Sequence, residues 1–194
     1  MTAIALLCFL TQMGVWKMNK KINAIDIENL KIIREGVKRI IKESAKEYDK
    51  NGLLVLDVAP QIWGGAKEFY KKGAIETLDI DPNSNATYIA DITKDNSYLI
   101  PSNRYDVIIF TEVLEHTLNP FAAIDEIYRI LKPEGKLIMT TPLNLRIHGP
   151  LPDCWRFTEH GIKVLLKKFK YVEIRKNGTE RFLFPVQYIT IAIK

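Results

Sequence analysis

The chain has 194 residues, of which 47% are hydrophobic and 26% charged. That composition excludes a disordered chain and fits one domain with a real core. The net charge of +5 reads first as lysine-rich solvated faces, with an anionic partner such as nucleic acid the weaker alternative. The two cysteines, Cys8 and Cys154, exclude a disulfide scaffold and a CxxC metal site and point to a reducing, cytoplasmic setting.

Residues 1–17 hold a short apolar run, Ala3 to Leu10, too short to span a bilayer and without the flanks of a signal peptide. They read as an extension upstream of a start at Met18, dispensable to function. Residues 18–52 form an N-terminal unit. Within it, Ile22 to Lys50 carries Leu30, Ile33, Val37, Ile40, Ile41 and Ala45 on one helical face and charged residues on the other. Asp26 is its expected N-cap, and Asn51-Gly52 ends it.

The main domain, 53–194, opens with the apolar run Leu53-Leu54-Val55-Leu56, closed by Asp57. A loop bearing Pro60 and Gly64-Gly65 follows, then a helix expected over Ala66 to Lys72. Ile75 to Leu78 is a second strand, closed by Asp79. This is a βαβ unit whose ligand belongs at the carboxyl ends of the strands. Asp79 follows Asp57 by about 20 residues, the spacing of a ribose-binding acid after a nucleotide loop.

Ala86 to Ala90 reads as a third strand ending at Asp91-Ile92, and Tyr105 to Phe110 as a fourth, buried on both faces. Asn119-Pro120 starts a helix to Leu131, followed by a Lys132–Gly135 turn and a fifth strand, Lys136 to Thr141. Pro142 to Phe157 is a long loop. Thr158 caps a helix through Lys168. Tyr171 to Arg175 and Val186 to Ile193 are the last strands; with no helix between them they pair antiparallel, while the alternation before them gives a parallel, doubly wound α/β sheet.

The runs LLVLDVA, ETLDID, ATYIADIT, YDVIIFTEVLEH, RILKPEGKLIMTTP and PDCWRFT, in that order, resemble a class I S-adenosylmethionine-dependent methyltransferase of the small type 11 group. The resemblance covers about Leu53 to Lys194. It implies a Rossmann-like seven-stranded sheet in the order 3-2-1-4-5-7-6, with strand 7 antiparallel and helices on both faces. It also implies site roles. Asp57 would orient the loop and the methionine ammonium, with Ala59 and Gln61 also binding the cofactor. Asp79 would take the ribose hydroxyls, Ile80 would pack on the adenine, and Asp91 and the Ile92 backbone would meet its edge. Glu112 would face the methionine end and the acceptor. The departure is the loop itself: where the family carries alternating glycines, this chain has Ala59-Pro60-Gln61, and Gly64-Gly65 come later.

Methyl transfer needs orientation and, for a hydroxyl acceptor, a base. His116 and His148 are the candidates, with Glu112 beside them; His160 reads as a surface residue. Glu112-x-x-Glu115-His116 is also similar to the E-x-x-E-H arrangement of ubiquinone-type O-methyltransferases and small-RNA 2′-O-methyltransferases. It implies a Mg²⁺ or Mn²⁺ site from Glu112, Glu115, His116 and His148, the less favoured of two readings. The GPLPDCWRFT loop resembles a type 11 signature found in some enzymes of cell-surface polysaccharide synthesis. Asp153 and Arg156 would pair to stiffen it, with Trp155 over the acceptor. The expected activity is methyl transfer to an oxygen or nitrogen of a small-molecule or saccharide acceptor. The rivals are a catalytically silent binding module, suggested by the loop, and a dinucleotide oxidoreductase, disfavoured by the missing G-x-G-x-x-G.

Overall fold

The computed structural model describes residues 23–178, 181 and 183–194. The expectations for residues 1–17 and for Met18 lie outside them. Helix α1 runs Ala24–Tyr48. Its N-cap is Asn23, not Asp26: the Asn23 side-chain oxygen accepts the Ile25 N–H at 3.1 Å. Asp26 falls inside the first turn, where acids suit the helix dipole, and lies 3.8 Å from Arg146. Ile33, Val37, Ile40, Ile41 and Ala45 of α1 are all buried, as their helical spacing requires.

The strands are β1 (Leu54–Val58), β2 (Ala74–Asp79), β3 (Tyr88–Ile89), β4 (Tyr105–Thr111), β5 (Leu131–Pro142), β6 (Tyr171–Asn177) and β7 (Gln187–Ile193). They form one sheet in the order β3-β2-β1-β4-β5-β7-β6. All neighbours are parallel except β7, which runs antiparallel to β5 and β6. This is the sheet the resemblance implies. Among the described residues two further α-helices follow, α2 (Pro120–Ile130) and α3 (Glu159–Leu165).

Alternation along the central strands sorts the core into two layers. Val55, Val107, Ile109 and Ile138 meet Val37, Ile40 and Ile41 of α1 on one face. Leu56, Ile108, Phe110 and Met139 meet Ile124 and Ile127 of α2 and Ile162 of α3 on the other. Each such side chain contributes about 1.5–3 kcal/mol when fully buried. With β1 and β4 covered on both sides, their carboxyl ends are held rigidly in the middle of the sheet.

Three elements are shorter than the sequence suggests. The helix expected over Ala66 to Lys72 is a single 3₁₀ turn, Gly65–Glu68. Asp49, just past α1, accepts the backbone N–H groups of Lys71, Lys72 and Gly73 at 2.7, 3.1 and 2.8 Å. Those donors are then lost to an i→i−4 ladder, and the chain turns directly into β2. The β3 pairing covers two residues because the Thr77 and Thr87 hydroxyls each take the other's backbone N–H. The last helix stops at Leu165 rather than Lys168. Conversely β5 starts early, at Leu131, and passes Lys132–Gly135 as an irregularity, with its register on β4 jumping from Tyr105↔Leu131 to Val107↔Lys136.

Within the sheet, Glu76 of β2 ties three strands together. It accepts from Arg104 Nε and Nη2 at 3.1 and 2.5 Å, from Tyr88 Oη at 3.0 Å and from Tyr105 Oη at 2.6 Å. Tyr105 is fully buried, so removing its acceptor orphans a hydroxyl in the core. Glu76→Ala is therefore expected to destabilise the protein by about 2–4 kcal/mol, measured by urea unfolding, while Glu76→Gln recovers part of the loss.

Candidate functional site

The sequence-predicted residues gather at the carboxyl ends of β1, β2, β3 and β4. Asp57 in β1 is 2% exposed. Its Oδ2 accepts the Ala66 N–H at 2.7 Å and so folds the 59–65 loop back over the strand end. Burial pushes the Asp57 carboxyl up to about 7, against the pull of that N–H. The loop departs from a glycine run and turns at three left-handed residues, Ala59, Gly64 and Gly65. Ala59 sits at φ 49° and its N–H donates to Leu78 O at 2.7 Å. Gly65, at φ 54°, makes the close approach: a Cβ there would stand 2.3 Å from Asp57 Oδ2. Gly65 thus makes room for the buried carboxylate. Gln61 Nε2 reaches Thr111 O at 3.4 Å, linking the loop to the end of β4.

At the β2–β3 corner, Asp79 accepts the Asp81 N–H at 2.9 Å through Oδ1, and its own carbonyl takes the Ala90 N–H at 2.9 Å. Ile80 stands 68% exposed beside it. Asp91 closes a turn by accepting both the N–H and the hydroxyl of Thr93, at 2.8 and 2.7 Å. Ile92 is buried, which fixes its backbone at this edge. An acid and an exposed apolar side chain on one corner suit a ribose and the flat face of a base.

The other half of the site follows β4. Glu112 has φ 56°, a left-handed conformation costly for a residue with a Cβ. A 3₁₀ turn, Leu114–His116, comes next. Glu115 is fully buried, and neither of its carboxylate oxygens has a hydrogen-bond partner among the described residues. Two imidazoles face it. His116 Nε2 lies 3.8 Å from Glu115 Oε1 and His148 Nε2 lies 4.0 Å from it. The rings meet edge to face with centroids 4.9 Å apart. Each ring is held from behind. His116 Nδ1 donates to the Pro152 carbonyl at 3.0 Å, and His148 Nδ1 stands 3.0 Å from Asp153 Oδ2. The carbonyl at His116 Nδ1 places the proton there and leaves its Nε2 with a lone pair toward Glu115, while His148 Nδ1 lies between the Asp153 carboxylate and the Arg156 Nη2 donor, 3.5 Å away. Burial lowers both histidines below their ordinary value, which keeps them neutral. Burial and then the neighbouring Glu112 charge raise Glu115 well above the usual carboxylate range. Burial also lifts Glu112, to about 7, against a hydrogen bond from Gln187.

The 142–158 loop is docked onto this centre as expected, and its anchor is Arg156. Its guanidinium pairs with both Asp153 oxygens, at 2.5 and 2.7 Å, and donates to the carbonyls of Leu145, Arg146 and Trp155. The Glu115 carbonyl accepts the N–H groups of Cys154 and Trp155, at 2.8 and 3.2 Å. Trp155 Nε1 donates to Thr117 O at 2.8 Å, and its ring stacks on Phe157. Trp155 is therefore first a fastener of the loop. A shallow cavity of about 230 Å³ lies beside it, lined by Leu145, Ile147, Asp153, Cys154, Trp155 and Arg156. His160 is exposed and apart from the site. Gln187 is the residue sequence reasoning missed. Its only signal is a polar side chain opening an otherwise apolar strand.

The Asp57 shift carries a pH consequence. A carboxyl whose pKa rises on folding contributes stability that is full below its unfolded value, near 3.9, and is lost as pH climbs through about 7. Asp57→Asn keeps an acceptor for Ala66 N–H and removes the charge. It is expected to be more stable than wild type at pH 8 and no more stable at pH 4, in thermal melts, while losing affinity for a cationic ligand. Gly65→Ala, which meets both a clash and a left-handed φ, should lose about 2 kcal/mol or more at any pH.

A family model of a methyltransferase domain matches residues 30–174. Among curated proteins, ubiquinone biosynthesis O-methyltransferases of Rhodopseudomonas palustris align at 26% identity over 125 residues, 58% of this chain and 49% of the relative. The chain thus spans about half the length of those relatives. Among solved structures, an S-adenosylmethionine-dependent methyltransferase from Archaeoglobus fulgidus superposes with a TM-score of 0.61 at 18% identity, covering 89% of this chain and 100% of its own. Phosphoethanolamine N-methyltransferase 2 of Haemonchus contortus, in complex with S-adenosyl-L-methionine, gives 0.59 at 17% identity over 87% of this chain and 52% of its own. The family match over residues 30–174 shows that the chain belongs to the methyltransferase-domain family, and its strand order is the one the class I resemblance implies.

Proposed function

We propose that the chain transfers the sulfonium methyl of S-adenosylmethionine to a hydroxyl of a small-molecule acceptor held beside Glu115, His116 and His148. The observation that carries this reading is the Glu115 carboxylate: buried, unpartnered, and facing two neutral imidazole nitrogens. A group with that much unsatisfied acceptor capacity is suited to a cation or to the proton of a substrate hydroxyl. An oxygen acceptor is preferred over nitrogen because imidazole lone pairs can take a hydroxyl proton, and the likeness to O-methyltransferases points the same way.

In this reading Asp79 accepts the ribose hydroxyls and Ile80 covers the adenine. Asp91 and the Ile92 N–H read the adenine edge. Asp57, through the 59–65 loop with Ala59 and Gln61, sets the methionine end, and Glu112 accepts its ammonium. These groups align the methyl, the acceptor oxygen and the leaving sulfur, which is the main work a protein does in such a displacement. His116 or His148 takes the acceptor proton. The Trp155 side of the loop, with its small cavity, borders the acceptor.

Glu115, His116 and His148 also fit a divalent ion. Their ligand atoms all lie within 4.8 Å of one another, and each imidazole is braced through Nδ1. One carboxylate and two imidazoles suit Mn²⁺ better than Mg²⁺. When bound, such an ion lowers the pKa of a coordinated hydroxyl. The chain's part is to hold the three donors on one side and to keep the 142–158 loop closed behind them.

Calorimetry tests both levels. S-adenosylmethionine and its demethylated product should bind in the micromolar range or tighter, and Asp79→Ala should weaken both at least tenfold. No binding below millimolar would leave a silent binding module instead. Mn²⁺ alone should bind wild type and fail with His148→Ala. If Mn²⁺ does not bind and excess EDTA changes nothing, the two histidines act as bases without metal.

A further inference from the structure

Behind Glu112 runs a chain of side chains that reaches the protein surface. Arg39 of α1 donates through Nη2 to Asn177 Oδ1 at 2.8 Å. Asn177 Nδ2 donates to Gln187 Oε1 at 2.9 Å and to the Ile32 carbonyl at 3.2 Å. Gln187 Nε2 donates to Glu112 Oε1 at 2.8 Å and to the Ile33 carbonyl at 3.4 Å. Asn177 and Gln187 are direct cross-strand partners on β6 and β7, and both are buried.

The direction of this chain is fixed at both ends. A guanidinium only donates, so the Asn177 atom it meets is the oxygen. The Asn177 nitrogen must then face Gln187, which turns the Gln187 oxygen toward it and the Gln187 nitrogen toward Glu112. The carbonyls of Ile32 and Ile33 only accept, and both lie on the nitrogens that this order requires. Neither amide can flip without setting two acceptors or two donors against each other. A carboxylate at the far end is the matching acceptor.

The helix makes room for it. Gly36 lies in the interior of α1, where glycine costs about 1 kcal/mol relative to alanine. A Cβ at Gly36 would stand 2.3 Å from Gln187 Oε1 and 2.4 Å from Asn177 Nδ2. Glu112 itself needs the support, since its φ of 56° is not one a glutamate adopts freely.

We infer that Gln187, backed by Asn177, is a positioning residue: the amide relay from α1 aims one fixed N–H at Glu112 and sets where its carboxylate presents its remaining lone pairs. The inference rests on the reading that Glu112 meets the methionine end of the cofactor. One N–H on one oxygen both holds the side chain against its strained backbone and leaves acceptor capacity for an ammonium group. The relay also ties α1 to the site.

Two measurements test this separately. In ¹⁵N spectra of the ligand-free protein, the side-chain amide protons of Gln187 and Asn177 should exchange slowly with solvent, and Glu112→Ala should release those of Gln187. Fast exchange of the Gln187 amide in wild type would overturn the relay whether or not the cofactor binds. In calorimetry with S-adenosylhomocysteine, Gln187→Leu and Gln187→Glu, checked for folding by circular dichroism, should bind at least tenfold more weakly. The pair Gln187→Glu with Glu112→Gln restores the hydrogen bond but moves the charge; it should regain melting temperature without regaining affinity. Wild-type affinity per folded molecule in the single variants would reduce Gln187 to a structural role and overturn the inference. A wild type that binds no S-adenosylhomocysteine while its Gln187 amide stays protected would instead sink the cofactor reading of Glu112 and leave the relay standing.

Discussion

Carboxylates withdrawn from water at one edge of the sheet set the terms for the rest of the molecule. Asp57 and Glu115 are buried, and Glu112 stands close by. A charge in that setting is unfavourable unless donors or cations answer it. Most of the local architecture is such an answer. The 3₁₀ turn after the first loop presents the Ala66 N–H to Asp57. The β6–β7 pair presents an amide to Glu112. Neither Glu115 oxygen has a hydrogen-bond partner among the described residues, and two imidazoles face it. One carboxylate is answered by backbone, one by a side chain, and one is left for something that arrives.

The 142–158 loop converts these strand ends into a pocket. It has little apolar burial of its own, so polar contacts hold it. Arg156 collects three carbonyls and both Asp153 oxygens, and the Glu115 backbone holds the loop from the other side. Asp153 then does double service. It neutralises Arg156 and braces His148. Loop closure and histidine orientation are thus one arrangement. An arginine suits this place because its planar fork satisfies several acceptors at once, which a lysine cannot do.

Much of this was legible in the sequence because strand ends announce themselves. An apolar run closed by an acid places that acid at a known edge, so Asp57, Asp79 and Glu112 could be placed from order alone. The Asp153–Arg156 pair followed from spacing and charge. Other features depend on contacts distant in the chain. The truncated helix after Gly65 is decided by Asp49, whose capture of three N–H groups no local propensity reports. The capping of α1 went to Asn23 rather than Asp26 because two good capping residues stood three positions apart and only the folded chain chooses. Gln187 was invisible for a stronger reason: its partner Glu112 is far off in sequence, and the β7 direction that brings them together is a property of the whole sheet.

That direction has a consequence for folding. In a fully parallel sheet each strand offers its last residue to the ligand edge. The reversed β7 offers its first, Gln187, beside Pro142 of β5. The Glu112 environment is therefore incomplete until the latest strand of the sheet has paired, in register, with two others. A slip of two residues along β7 would carry the amide roughly 7 Å away, and a slip of one would turn it to the other face. The corner around Asp79 needs only β1 to β3. The Asp79 corner thus rests on strands close together in the chain, whereas the surroundings of Glu112 depend on the register of its last strand.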